Sequence, residues 1–355
     1  MPKIEFKDIK ISAMATTVGD VKINIDDQKE YFGFDDRSLK RLKKTIGLQS
    51  RYVVSEGITT VDLCEQSAND IFKHNDKFKK DIEALILVTQ SSDYKAPSSA
   101  IVLQDRLNLS TNTIAYDVNL GCSGFVVGLF QAFSMVNSGI KKVLLCVGDV
   151  NSYFSGEKDK SFTPLMGDAG SAIVIEKGGN FSSFFSLYSD GSGYDFLIVP
   201  AGGAKVPSSD KTRETTIRED GAYRSDEDLF MDGKEVFNFA VKTVPPLIDE
   251  VLEFANSSKD NIDYFVLHQA NKYILQNIAR KLDVVEKVPM ETGVIYGNQN
   301  SASMPGTING FLSNEFTNKS LDVVFAGFGI GLSWAGVITK CDNIYAPEVK
   351  IYEQK

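Results

Sequence analysis

The sequence is poor in the residues that build cross-linked or metal-held proteins. Its four cysteines, Cys64, Cys122, Cys146 and Cys341, lie far apart and form no CxxC pair. That spacing argues against both a disulfide framework and a zinc site. Histidine is scarce, with only His74 and His268, and Trp334 is the single tryptophan. No apolar run is long enough to span a bilayer. The opening stretch MPKIEFKDIKISAMA alternates apolar and polar residues like a strand, without the apolar block and cleavage site of a signal peptide. A cytoplasmic protein with no membrane segment is the expectation. Positive charge is in deficit: 38 Lys and Arg against 47 Asp and Glu leave a net charge of −9. That balance speaks against general nucleic-acid binding.

What is present is an ordinary globular composition, 43% hydrophobic and 24% charged over 355 residues, enough for one large domain or two fused ones. Short apolar, β-rich runs recur: ALILVTQ (84–90), IAYDVNL (114–120), KVLLCVGD (142–149) and SAIVIEK (171–177). Segments of helical period, such as CSGFVVGLFQAFSMVNSG, lie between them. The alternation predicts βαβ units around a buried sheet. The C-terminal half repeats the order. VFNFAVKTVPPLIDEVLEFA reads as a helix distorted locally by Pro245 and Pro246. IDYFVLHQA (262–270) reads as a buried strand and KYILQNIARKL as an amphipathic helix. ETGVIYGNQNSASMPGTINGFLSNEF should run from strand through a polar turn into a helix. SLDVVFAGFGIGLSWAGVITK should be a strand, a Gly-rich turn and a second strand.

Three stretches can be paired between the halves in the same order. IEALILVTQSS matches IDYFVLHQAN, YDVNLGCSG matches VIYGNQNSAS, and KKVLLCVGD matches SLDVVFAGF, which points to an internal duplication. Residues 149–166 read as a loop. Residues 201–228 are polar and Gly/Ser-rich, and they would join the repeats or cover a site. The expected organisation is an N-terminal half over 1–180, a connecting or cap segment over 181–230 and a C-terminal half over 231–355.

Cys122 follows the strand IAYDVNL and opens a helix, flanked by Gly121 and Gly124. Unpaired N–H groups and the helix dipole would lower its thiol pKa, although a buried structural cysteine fits the segment as well. His268 ends the apolar strand YFVL, where an α/β sheet commonly places site residues. His74, in FKHNDKFKK, reads as a solvated helix residue. Asn298, in YGNQNSASMPG, lies in a turn leading to a helix that has Pro305 in its first turns. Taken singly, His268 fits a structural histidine and Asn298 a cap or turn residue. If the duplication holds, Cys122 and Asn298 occupy matching turns and can converge with His268. AGFGIGLSW (326–334) would run alongside with a backbone N–H for an oxyanion. It lacks the G-x-G-x-x-G spacing of a phosphate loop.

With these residues in view, the sequence resembles the β-ketoacyl-acyl-carrier-protein synthase III family of thiolase-fold condensing enzymes. The resemblance rests on DVNLGCSGF, GDAGSAIVI, MDGKEVFNFAV, HQAN, YGNQNSAS and GFGIGLSW. It implies a thiolase-like α/β fold of two duplicated halves, with buried mixed sheets in a layered α/β/α/β/α arrangement. It implies Cys122, His268 and Asn298 as catalytic residues, with oxyanion-hole amides from the backbone of Cys122 and Ile330. Relatives usually have glycine where Ile330 stands. The implied reaction is a decarboxylative condensation of an acyl thioester primer with malonyl-acyl-carrier protein through an acyl-Cys122 intermediate, giving a 3-oxoacyl product. No metal or redox cofactor is implied, and a homodimer is expected. The alternative is an acyltransferase passing the acyl group from Cys122 to an alcohol or amine.

Two positions depart from the family. Arg41 stands where many relatives have a tryptophan that stacks on the adenine of coenzyme A. An arginine can also stack there, and the donor thiol, coenzyme A or carrier protein, stays open. Arg37, Lys40, Arg41 and Lys44 fall at i, i+3, i+4 and i+7, one face of a helix. With Arg280 and Lys281 they form an expected docking face for an acidic acyl carrier protein; a plain solvated surface helix is the alternative. Ala96 falls where relatives often place a phenylalanine that closes the partner subunit's acyl pocket, so room for longer or branched primers is expected.

Overall fold

The computed structural model describes residues 3–354. The runs ALILV and KVLLCVGD are buried at every position, as strands covered on both faces must be. The strands Ala84–Val88, Ile114–Val118 and Lys142–Asp149 are mutually parallel, with Ala84–Val88 in the middle. The long strand Ala169–Ser189 then lies antiparallel to Lys142–Asp149. In the C-terminal half Tyr264–Leu267 is parallel to Ser320–Gly329, and Ser333–Asp342 returns antiparallel to it. A parallel pair followed by an antiparallel neighbour thus occurs in both halves, and the first half has one further parallel strand, Ile114–Val118. All these strands belong to one nine-stranded sheet, because Ala169–Ser189 bridges the halves. Its first part pairs with Lys142–Asp149 and its last residues with Ser333–Ile338. Lys3–Val18 runs antiparallel along its other edge, with register shifts at Lys7/Ile9 and Ile11/Ala13. The boundary placed at 180/181 falls inside this shared strand.

Helices fill three layers around the two wings of the sheet. Gly124–Asn137 is apolar on nearly every side and sits in the middle. Its Phe125, Val126, Leu129 and Phe133 share one core with Val88, Val147, Val266 and Phe325 from both wings. The helix Ser303–Phe311 joins it there through Met304 and Ile308. Thr60–His74 and Ser99–Arg106 cover the outer N-terminal face. Gly233–Phe254 and Lys272–Leu282 cover the outer C-terminal face. Their buried residues form one stripe, as amphipathic surface helices require. Among the described residues no helix is long and apolar enough to cross a membrane.

One sequence expectation is corrected and one is given its detail. ETGVIY is not a strand: Thr292–Ile295 is a short helical turn, and only an isolated bridge joins Asn298 to Met166. The apolar run is too short to fill a strand, and Gly297 turns the chain at φ +82°. The helix Gly233–Phe254 continues through Pro245 and Pro246. Proline at 245 cannot donate to the Val241 carbonyl, and Lys281 Nζ takes that carbonyl at 3.1 Å instead.

Candidate active site

Parallel strands put their C-terminal ends on one side of a sheet, and loops leaving those ends make the site. Val118 leads to Cys122, Val88 to Gln90, Leu267 to His268 and Gly329 to Ile330. Cys122, His268, Asn298 and Ile330 all line one narrow cavity of about 70 Å³. Its walls are otherwise mostly apolar, with Phe154, Phe162, Leu197, Leu229 and Met231 among them. Leu197 and Leu229 flank the polar stretch 201–228 of the connecting segment, and no residue of that stretch itself lines the cavity.

Cys122 is 8% exposed. It lies two residues ahead of Gly124–Asn137, the helix whose terminus was expected to favour a thiolate. Burial wins instead and pushes the thiol up to about 11. Hydrogen bonds from the Ile330 backbone and the cysteine's own backbone work against burial, and the nearby Asp149 reinforces it. Glycine is what lets Ile330 come so close. A methyl group on Gly329 would lie 2.6 Å from Cys122 Sγ, and one on Gly327 would lie 2.8 Å from Ser123 Cα. The turn is pinned further: Ser333 Oγ donates to the Ile330 carbonyl at 3.0 Å and lies 2.7 Å from Ser123 Oγ.

His268 is 1% exposed. Its backbone N–H donates to Ala326 at 2.9 Å, continuing the strand pairing. The ring stands edge-on to Phe328, with centroids 5.6 Å apart. Burial drives the imidazole down to about 4, opposed by the Asn300 backbone, so the ring is neutral near pH 7. Asn298 is fixed through both ends of its peptide, to Leu165 and Gly167. Its Oδ1 accepts the Asn300 N–H at 2.9 Å, which leaves the Nδ2 group as the free donor.

Three residues of this neighbourhood were not singled out from sequence. Asp149 is fully buried, and burial raises its carboxyl to about 7. Its Oδ1 accepts Gln90 N–H at 2.6 Å and Thr89 Oγ at 3.1 Å, while Asn300 Nδ2 donates to Oδ2 at 2.7 Å. The strand-end logic that marked His268 applies equally to Asp149, at the end of KVLLCVGD. Asn300 and Ser303 sit in the quoted QNSAS, but nothing in that text separates them from cap residues. Among the described residues no three His, Cys, Asp or Glu side chains gather as a metal site, and all four cysteines are free.

The remaining sequence candidates lie outside the cavity. Ala96 is exposed and lines no wall of its own chain's cavity. Arg37, Lys40, Arg41, Lys44, Arg280 and Lys281 are exposed. The regular α-helix assumed for these basic residues is corrected: helix Asp36–Arg41 widens into a π turn at Leu42–Ile46. Lys40 and Lys44 then open onto one groove, and Arg41 onto another beside Tyr273. Tyr273 adjoins Ile274, a wall of the cavity.

Two such halves, sharing a central helical layer and meeting at a buried cysteine, make a thiolase-like fold, the scaffold of acyl-transferring enzymes. A family model described as 3-oxoacyl-[acyl-carrier-protein] synthase III matches residues 116–191. Its C-terminal counterpart matches residues 252–341. A beta-ketoacyl-[acyl-carrier-protein] synthase III of Clostridioides difficile is 33% identical over 309 residues, covering 86% of this chain and 90% of that one. The crystal structure of a 3-oxoacyl-(acyl-carrier protein) synthase from Burkholderia xenovorans superposes with a TM-score of 0.91. It is 32% identical, and 99% of each chain is covered. The synthase III structure from Thermus thermophilus gives a TM-score of 0.80 at 28% identity, covering 93% of this chain and 98% of that one. The chain belongs to the 3-oxoacyl-[acyl-carrier-protein] synthase III family.

Proposed function

We propose that the protein condenses an acyl thioester primer with malonyl-acyl-carrier protein, using Cys122 as nucleophile. The observation that carries this reading is the pairing, in one apolar cavity, of a cysteine under two backbone amides with two neutral side-chain donors. Cys122 Sγ attacks the primer carbonyl, and the N–H groups of Cys122 and Ile330 hold the oxyanion. The carbon–sulfur bond of the primer breaks, and the cysteine proton leaves with the departing thiol. The malonyl thioester then enters. His268 and Asn298 donate to its thioester oxygen as the bond to the carboxylate carbon breaks and carbon dioxide leaves. The enolate carbon attacks the acyl carbonyl, and Cys122 departs as thiolate and is reprotonated.

Acyl transfer to an alcohol or amine would call for a base beside the acceptor. A ring driven to about 4 and an amide serve better as donors than as bases. Protein expected in the cytoplasm, a homodimer with Ala96 of the partner subunit closing the primer end, and carrier docking on the Arg41 side belong to the same proposal. His268→Ala and Asn298→Ala separate the steps. Each should still take an acyl group onto Cys122 while losing carbon dioxide release and condensation by about 100-fold or more. Condensation at the wild-type rate in both variants would contradict the assigned roles.

A further inference from the structure

Ser303 begins the helix Ser303–Phe311 and is fully buried. Its Oγ lies 2.9 Å from Nδ1 of His268 and accepts the backbone N–H of Gln269 at 3.2 Å. Gln269 is held in place for this, because its side-chain amide donates to the Leu267 and Pro289 carbonyls, each at 3.0 Å. A serine hydroxyl has one proton and two lone pairs. The Gln269 amide occupies one lone pair. The hydroxyl proton, sealed from water, needs an acceptor of its own. Among the described residues Ser303 Oγ makes no other hydrogen bond, so the acceptor in reach is Nδ1 of His268.

We propose that the Ser303 hydroxyl donates to Nδ1 of His268 and thereby holds the ring in the tautomer that carries its proton on Nε2, the nitrogen left to the cavity. Ser303 is then a positioning residue for decarboxylation, and the inference rests on His268 being an enolate-facing donor. The tautomer matters because a neutral imidazole has one N–H only, and the hydrogen bond on one nitrogen decides which nitrogen carries it. In the opposite arrangement Nδ1–H would point at Ser303. The serine proton would be buried without an acceptor, and a bare Nε2 lone pair would face the substrate oxygen. Asn298 is set by the same turn, through the Asn300 N–H on its Oδ1. One short segment, 298–303, would orient both donors.

The composition makes the test clean, since the chain has only two histidines. The full-length enzyme, labelled with nitrogen-15 histidine, gives two imidazole patterns in long-range proton–nitrogen spectra at pH 7, and His74→Gln assigns them. The expected pattern for His268 is a protonated Nε2 and an unprotonated, hydrogen-bonded Nδ1. A protonated Nδ1 in the wild type overturns the proposal without any Ser303 variant. Ser303→Ala should shift the ring toward the other tautomer or a mixture. It should lower malonyl-dependent condensation by about 10- to 100-fold, the usual cost of losing an orienting partner. That loss should fall on the malonyl step rather than on acylation of Cys122, and Ser303→Thr should restore most of it. A Ser303→Ala enzyme with an unchanged His268 pattern contradicts the proposal. A His268→Ala enzyme that still condenses removes the reading beneath it, so the two failures are distinguishable.

Discussion

At Cys122 two physical effects compete for one proton. Burial favours the neutral thiol, and the converging N–H groups favour the anion; burial is the larger. The amides therefore serve less to create a resting thiolate than to receive negative charge once the thioester is attacked. This gives the Ile330 N–H a measurable role. Ile330→Pro removes the N–H while keeping a bulky residue, and acylation of Cys122 should fall by about 10²- to 10³-fold in a stopped-flow assay, as when an oxyanion donor is lost elsewhere. Ile330→Ala, which keeps the N–H, should acylate far faster than the proline variant. Equal rates for the two would mean that this amide holds no oxyanion. Cys122 and His268 were visible in the text because each stands where an apolar strand stops. The state of the thiol was not visible, since it depends on Asp149 and on strands distant in sequence.

Among the elements, the strands and the outer helices were the most legible. ALILV, KVLLCVGD and YFVL carry unbroken apolar runs, and KYILQNIARKL carries a helical stripe. ETGVIY misled because three apolar residues satisfy a strand pattern as readily as a helical turn, and the neighbours that bond to Val294, Ile295 and Tyr296 come from residues 49–52, far away in sequence. The basic helix was legible in charge and misread in shape. Lys40 and Lys44 line one groove and Arg41 another, while among the described residues none of Arg37, Lys40, Arg41 and Lys44 has an ion-pair partner. Lys281, by contrast, spends its amine on the carbonyl freed by Pro245. Docking of an acidic carrier should therefore depend on the Arg41 side more than on Lys281. Arg41→Glu with Lys44→Glu should raise the KM for carrier-bound substrate several-fold at low salt. The gap should narrow near physiological ionic strength, where the Debye length is about 8 Å. An unchanged KM at low salt would reject this docking face.

For the whole molecule, folding takes His268 out of water in its neutral form. Its pKa falls from 6.5 to about 4, so between those values the unfolded chain binds a proton that the native one does not. The sign follows: His268 is without penalty above about pH 6.5, and stability is lost as pH falls toward 4. At pH 5 the cost is about 2 kcal/mol. Urea unfolding at pH 7 and pH 5 should show wild type losing more stability than His268→Gln by about that amount. An equal loss in both proteins would show that the ring titrates normally in the fold. The duplication, legible as three short matches, becomes the architecture that brings strand ends from both halves to one cavity. The shared strand Ala169–Ser189 was not legible as shared, because its two parts find partners far apart in sequence.

The central claim is that Cys122 carries an acyl group which malonyl-carrier then removes by forming a carbon–carbon bond. Intact-protein mass spectrometry tests it most directly. The enzyme is mixed with acyl-coenzyme A and acyl-carrier thioesters, and malonyl-carrier is added to the labelled protein. The account predicts an acyl adduct on Cys122, absent in Cys122→Ala, that disappears as carbon dioxide and a 3-oxoacyl-carrier form. An adduct that survives malonyl-carrier, or no adduct from any thioester, would contradict it.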